Sequence, residues 1–263
     1  MIVISLIVTA FALILVPVWT FLIASGCVLS DLVGIPDRPG SPYDFLPRWW
    51  AKILLLIAGS RVVLHNPERA REGARIYVAN HLSWYDIPAM GSFLHNAKFV
   101  SKAEVFKVPL MGRAMHAVGM VFMERQNRRA AFSAYSDAAT RIRDGASIIV
   151  FAEGTRGEEY PLRQFKKGPF VLAIDAGAPI VPVLIYGARE VIRRGSLLIH
   201  PGKIHVHLLE PVSVEGMTYD DRDRLTVEVR NRIAAALESE YGIKSPPQRT
   251  AAVQAEQPPT NTN

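Results

Sequence analysis

Residues Met1 to Ser30 contain no Asp, Glu, Lys, Arg or His, and such a run cannot be an ordinary piece of a water-facing domain. As a helix rising ~1.5 Å per residue, Ile2 to Ala24 is long enough to cross a ~30 Å hydrocarbon core. Pro17 is expected to kink it. The rival reading is a cleaved leader, since Ala24-Ser25-Gly26-Cys27 loosely resembles a lipoprotein cleavage site. A leader opens on a basic stretch, and none is present, so a retained membrane segment is expected. Arg38, Arg48, Lys52, Arg61 and Arg69 follow, which places the remainder on the cytoplasmic side of the cell membrane if the segment spans.

The other 233 or so residues are enough for one sizeable α/β domain. A Pro- and Gly-rich linker (Pro36, Pro39, Gly40, Pro42, Pro47) leads to Trp49-Trp50 and the apolar run Ile53 to Ala58. That run is too short to span; it suits the membrane interface or a buried amphipathic helix equally. From Arg75, short apolar strands alternate with helical stretches. Strands are expected at Ile76 to Ala79, Phe99-Val100, Val121 to Met123, Ile148 to Phe151 and Ile180 to Ile185, and a hairpin with a Pro-Gly turn over Leu197 to Leu208. The spacing of Phe132, Tyr135, Ala139 and Ile142 predicts a helix stopped by Gly145, a short helix is expected near Val171 to Ala176, and Leu225, Val229, Ile233 and Leu237 predict a closing one. The fold class is therefore α/β, a mixed, largely parallel sheet flanked by helices behind an N-terminal membrane-associated helical segment. Its expected divisions are 1–30 membrane segment, 31–60 linker and interfacial helix, 61–244 α/β domain, and 245–263 disordered tail.

Two strand ends carry chemistry. Asn80 to Asp86 reads NHLSWYD, and a neutral imidazole whose second nitrogen is held by a carboxylate can take a proton from a hydroxyl. His81 and Asp86 are of the right types, but five residues on a regular helix lie roughly 140° apart. They must meet across a turn, with Pro88 disfavouring helix at Ile87 and starting one itself. The second strand end delivers Glu153-Gly154-Thr155-Arg156: a glycine permitting close backbone approach, a hydroxyl, and a guanidinium able to grip phosphate in bidentate fashion. Lys102, in KAEVFKVPLMG, and Arg125, closing GMVFMER, are further phosphate candidates.

NHLSWYD, GMVFMER, FAEGTRG and PIVPV together resemble, in order and approximate spacing, the four motifs of the glycerolipid acyltransferase family, over about residues 60 to 210. The histidine and aspartate of the first motif (HX4D) correspond to His81 and Asp86, the second motif's Gly and Arg to Gly119 and Arg125, the third to Glu153, Gly154, Thr155 and Arg156, and the fourth motif's proline to Pro182. Ala152 stands where the third motif usually has proline, which puts loop rigidity in question. The resemblance implies an acyltransferase of phospholipid biosynthesis, with lysophosphatidic acid as acceptor and acyl-CoA or acyl carrier protein bearing the donor. His81 would be the general base and Asp86 its support. Lys102, Gly119, Arg125 and the Glu153 to Arg156 segment would bind substrate, and Pro182 would lie along the acyl chain. No cofactor is implied. Other acceptors, glycerol 3-phosphate or a lyso-ornithine lipid, fit the same motifs, and a non-catalytic lipid-binding protein is the alternative of another class.

Several classes are disfavoured. The single Cys27 excludes an intramolecular disulfide framework and speaks against cysteine catalysis. No G-x-S-x-G elbow supplies a serine nucleophile, and Ser83 suits a loop cap. The net charge of +6 is spread over many sites without basic and aromatic interleaving, which favours an anionic lipid surface over nucleic acid. His205 and His207 alternate on a strand and point the same way, the start of a metal site, yet no Cys, Asp or Glu cluster nearby completes it. No metal is expected.

Overall fold

β-Branched and apolar runs of five or six residues, buried on both sides, are what a parallel sheet covered by helices requires. The computed structural model describes residues 2–70, 73–123 and 128–249. Arg125 and residues 250–263, most of the expected tail, lie outside them. In chain order the elements are α1 (Ile2–Leu32), α2 (Pro42–Ile57), β1 (Arg61–His65), β2 (Ile76–Ala79), α3 (Asp86–Gly91), β3 (Ala97–Lys102), α4 (Met111–Ala117), β4 (Val121–Met123), α5 (Arg128–Arg143), β5 (Ser147–Phe151), α6 (Gly168–Ala176), β6 (Ile180–Tyr186), α7 (Ala188–Val191), β7 (Lys203–Leu208) and α8 (Arg222–Tyr241). The seven strands form one sheet in the order β1-β7-β6-β2-β5-β3-β4. Every neighbouring pair is parallel except β6 with β7, so the sheet is mixed and largely parallel, as expected from the sequence.

Strand alternation divides the core in two. Ile76, Val78, Ile148, Val150, Ile180 and Leu184 pack with α5, α6 and α8, while Tyr77, Ala79, Ile149, Val181, Val183 and Ile185 pack on the side of α2 and α3. Pro182 opposes Val78 in the middle of this sheet. Its missing N–H falls where the β6–β7 ladder ends, since its carbonyl accepts the N–H of Leu209, the residue after β7 (2.9 Å).

The expected hairpin over Leu197 to Leu208 does not form. Only β7 is a strand, paired with β6 and β1. The segment before it spends its backbone groups elsewhere: Ile199 donates to Thr9 Oγ1 (2.9 Å) and His200 to the Val191 carbonyl (2.8 Å). The few polar residues of α1 thus dock it on the domain, and Ser5 Oγ lies 2.8 Å from His200 Nδ1. Strand β1 was not expected at all.

Pro17 lies within the unbroken α1, which is long and apolar enough to cross a membrane. Large apolar residues such as Ile4, Phe11, Ile14 and Phe21 are exposed along it. The two readings of the Trp49 to Ala58 run describe opposite faces of α2. Ala51, Leu54 and Leu55 are buried, whereas Phe45, Trp49 and Leu56 face outward. An outward apolar surface of this extent is at home against lipid. The linker between the helices is tied down: Asp37 accepts from the buried Lys98 at 2.9 Å. At the other end, residues 245–249 are bound rather than loose, with Ser245 Oγ accepting from Leu162 N (2.9 Å) and Gln248 Oε1 from Phe165 N (2.9 Å).

Candidate active site

The NHLSWYD segment leaves the carboxyl end of β2 between two parallel neighbours, the position where open α/β sheets present ligands. Asn80, buried, extends the sheet with its side chain: Oδ1 accepts the Ile185 N–H (2.7 Å) and Nδ2 donates to the Ile185 carbonyl (2.9 Å). The chain then turns, and Asp86 closes the turn. Its Oδ2 accepts from Leu82 N (2.7 Å), Ser83 N (2.8 Å) and the His81 ring at Nδ1 (2.8 Å). The two residues do meet across a turn. The helix after it, however, begins at Asp86 and not at Pro88. Pro88 sits within the first turn, where a missing N–H forfeits no helical bond.

With Nδ1 donating to a carboxylate, Nε2 is the ring nitrogen left to accept a proton. The His81 side chain is 13% exposed, open on one side only. Its ring stacks on Phe151 at the end of β5 (centroids 4.0 Å apart). Ser83 caps the loop by accepting the Tyr85 N–H at its hydroxyl (3.3 Å), which also donates to Ile192 O at 2.9 Å.

The second loop is laced to the first. Gly157 N donates to the His81 carbonyl (2.8 Å), and the buried Glu153 accepts the His81 backbone N–H at Oε1 (3.1 Å). Gly154 turns the chain out of β5 at φ 75°, a conformation that favours glycine. Burial pushes the Glu153 carboxyl up to about 7, against the lowering effect of the His81 N–H and the Arg163 charge. Glu153 is therefore placed to brace His81 from behind, not at an open surface facing substrate. The sign of its pH effect follows. Between the ordinary carboxyl value and about 7 the folded chain keeps a proton that the unfolded chain has lost, so this group costs stability as pH rises through that window. The melting temperature of the wild type, measured against Glu153→Gln, is expected to fall between pH ~4.5 and ~7 and to run parallel above it. Parallel curves across the whole range would remove this account of Glu153.

Arg156, partly buried, lies over the indole of Trp84 (4.4 Å to the ring centroid). A guanidinium stacked on an aromatic face keeps its donors free at the edge for an anion. Arg194 donates to the Arg156 carbonyl (3.0 Å) and also pairs with Glu158 (3.4 Å); burial, and after it the Arg194 charge, lowers the Arg156 pKa. Two guanidinium groups this close favour a negative ligand. Thr155 is partly buried beside Arg156, and Lys102 stands exposed at the carboxyl end of β3, two strands from β2.

Two expected site residues fall elsewhere. Gly119 precedes the amino end of β4, at the opposite end of the parallel strands from His81. It turns the chain at φ 76°, a conformation that favours glycine, so the backbone turn explains it. Pro182 shares the strand face of Ile180 and Leu184, which pack toward α6 and α8, whereas His81 sits on the side of Phe151, Tyr85 and Ala89. It lies in the core, away from any groove at His81.

Residues 61–186 match the family model described as Acyltransferase. A 1-acyl-sn-glycerol-3-phosphate acyltransferase of Haemophilus influenzae is 31% identical over 210 residues, covering 76% of this chain and 86% of that protein. A lyso-ornithine lipid O-acyltransferase of Pseudomonas aeruginosa is 29% identical over 248 residues, covering 86% and 92%. The crystal structure of the 1-acyl-sn-glycerophosphate (LPA) acyltransferase PlsC from Thermotoga maritima superposes with a TM-score of 0.76 at 26% identity, over 93% of this chain and 99% of that one. The chain spans less than half the length of the chloroplast relatives from Brassica napus and Arabidopsis thaliana that it also matches.

Proposed function

This chain belongs to the acyltransferase family, and we propose from that premise that it moves an acyl group from an acyl thioester to the sn-2 hydroxyl of a 1-acylglycerol 3-phosphate. The observation that carries the proposal is the pairing of a His81–Asp86 dyad, 2.8 Å apart, with the Arg156 guanidinium stacked on Trp84 of the same loop and bonded through its carbonyl to Arg194. His81 Nε2 takes the hydroxyl proton as the oxygen attacks the thioester carbonyl. Asp86 stabilises the imidazolium through Nδ1. The tetrahedral intermediate then collapses, the C–S bond breaks, and the imidazolium returns its proton to the departing thiolate. The products are phosphatidic acid and a free thiol on coenzyme A or acyl carrier protein. Because the acceptor hydroxyl attacks the thioester itself, the step needs no acyl-enzyme intermediate.

Arg156 and Arg194 hold the acceptor phosphate, with Lys102 at the rim. The exposed apolar faces of α1 and α2 support reaction at a membrane surface. The basic residues that follow α1 support a cytoplasmic placement of the domain.

The Pseudomonas relative favours a second reading, in which the acceptor is a lyso-ornithine lipid without phosphate. One experiment separates them: membranes containing the chain are assayed with a panel of lysolipids and both donor types, for wild type and Arg156→Ala. Arg156→Ala is expected to raise the apparent KM for the phosphorylated acceptor roughly 10- to 100-fold, the loss of a charge-assisted contact. Turnover of only phosphate-free acceptors, or an unchanged KM, would overturn the phosphate assignment.

A further inference from the structure

On the face of the sheet away from His81, three imidazoles come together from two strands. His65 ends β1, His205 and His207 lie on β7, and His65 and His207 are register partners. One ring nitrogen of each lies within 4.8 Å of those of the other two. His65 Nε2 is 3.0 Å from His205 Nδ1. That spacing is close to the roughly 3.3 Å separating two ligands ~2.0 Å from a tetrahedral ion. The sequence showed two of the three, because the third ring arrives on an edge strand far earlier in the chain.

We infer that His65, His205 and His207 form a binding site for a borderline divalent transition-metal ion of the zinc type, fastening edge strand β1 to β7. The donor set decides the class of ion: three neutral nitrogens suit Zn²⁺, Co²⁺ or Ni²⁺, whereas Mg²⁺ and Ca²⁺ require oxygens. His65 Nε2 and His205 Nδ1 share one proton in their hydrogen bond; where the ion takes its place, the ring that gave up the proton carries it on its other nitrogen, so both imidazoles stay neutral and no net proton is released. Tyr241 holds His207 from outside, its hydroxyl 2.7 Å from Nε2, the kind of outer contact that orients a metal-bound imidazole through its other nitrogen. The nearby Glu240 adds a negative charge.

One adjustment is required. The His65 and His207 rings are stacked 3.9 Å apart and 2° from parallel, so their lone pairs do not yet converge. Rotation of His207 about its side-chain bonds, pivoting at Tyr241, brings its Nδ1 toward the other two. A fourth position is left for water.

The test uses the full chain in detergent, free of any affinity tag, stripped with EDTA and titrated with Zn²⁺. The wild type is expected to bind one equivalent tightly enough to survive gel filtration, and Co²⁺ in its place to give the intense visible absorption of a tetrahedral ion. His65→Gln and His205→Gln are expected to lower the affinity at least tenfold, with circular dichroism confirming that each is folded, and His95→Gln to leave it unchanged. No bound equivalent in the wild type, or the same affinity in His65→Gln and His205→Gln, overturns the assignment.

Discussion

His81→Ala lowers the turnover of acyl transfer by about a thousandfold, the middle of the range for losing a positioned general base, while the melting temperature changes little. Both halves follow from the same geometry. The ring is anchored at Nδ1 by Asp86, so Nε2 is the nitrogen presented to a substrate hydroxyl. Little else depends on that ring. The backbone of residue 81 keeps its bonds, N–H to Glu153 and carbonyl to Gly157, whatever the side chain. What is lost structurally is one stacking contact with Phe151 and the ring's bond to Asp86. Initial rates at saturating acceptor and donor give the measurement, with thermal melting as the control. A variant that transfers acyl groups at the wild-type rate would leave the chain as a lipid-binding protein, the reading of a different class. A variant with normal kcat and raised KM would make His81 a binding group instead.

The parts of this molecule that were legible in the sequence are those written locally. Strands such as Ile76 to Ala79 and Ile148 to Phe151 are short apolar runs followed at once by polar residues, and α8 is written by a four-residue apolar repeat. Strand β1 was missed because RVVLH mixes charged and apolar residues, as an edge strand can when half of it faces solvent. The hairpin at Leu197 to Leu208 failed for a complementary reason. A Pro-Gly pair between two apolar runs gives a turn signal, but Ile199 and His200 find partners in α1 and α7, nearly two hundred and about ten residues away, which no local rule reports.

The site shows the same division. His81, Asp86 and Arg156 were found from residue type and strand ends. Arg194 and Trp84, which contact Arg156, carry no local mark, since an arginine in an RRG turn and a tryptophan in a loop are ordinary. Arg230 is a further case. It is buried on α8 beside the apolar repeat and donates to the carbonyls of Arg163 (3.0 Å) and Leu162 (2.7 Å), holding the loop that follows Glu153. Surface charge is the default for such an arginine, and only the fold reveals that its donors are satisfied by carbonyls. Glu153 and Gly119 illustrate the converse. Both belong to recognised motifs, yet the first faces the His81 backbone and the second a turn at the far end of the sheet. A motif records which residues recur together, not whether each one meets the substrate.

Asp86→Asn separates the two duties that Asp86 performs and is expected to cost on the order of 10² to 10³ in kcat, no more than the loss of His81 itself, because the carboxylate acts through that ring. One oxygen of Asp86 serves the His81 ring and two backbone N–H groups. An asparagine that turns its carbonyl toward them retains an acceptor at that position, so the turn closes and the fold survives. The negative charge is gone, and with it the stabilisation of the imidazolium that forms when the hydroxyl gives up its proton. Asp86→Ala goes further by leaving the Leu82 and Ser83 N–H groups buried without an acceptor, at about 1–3 kcal/mol each. Its melting temperature should therefore drop where that of Asp86→Asn holds. The decisive comparison is the double variant. If Asp86 acts through His81, then adding Asp86→Asn to His81→Ala lowers the residual rate little further, because groups that work as a unit are not additive. A further loss of about 10² or more in the His81→Ala background would mean that Asp86 contributes independently of the imidazole, and the dyad would have to be abandoned as the catalytic unit.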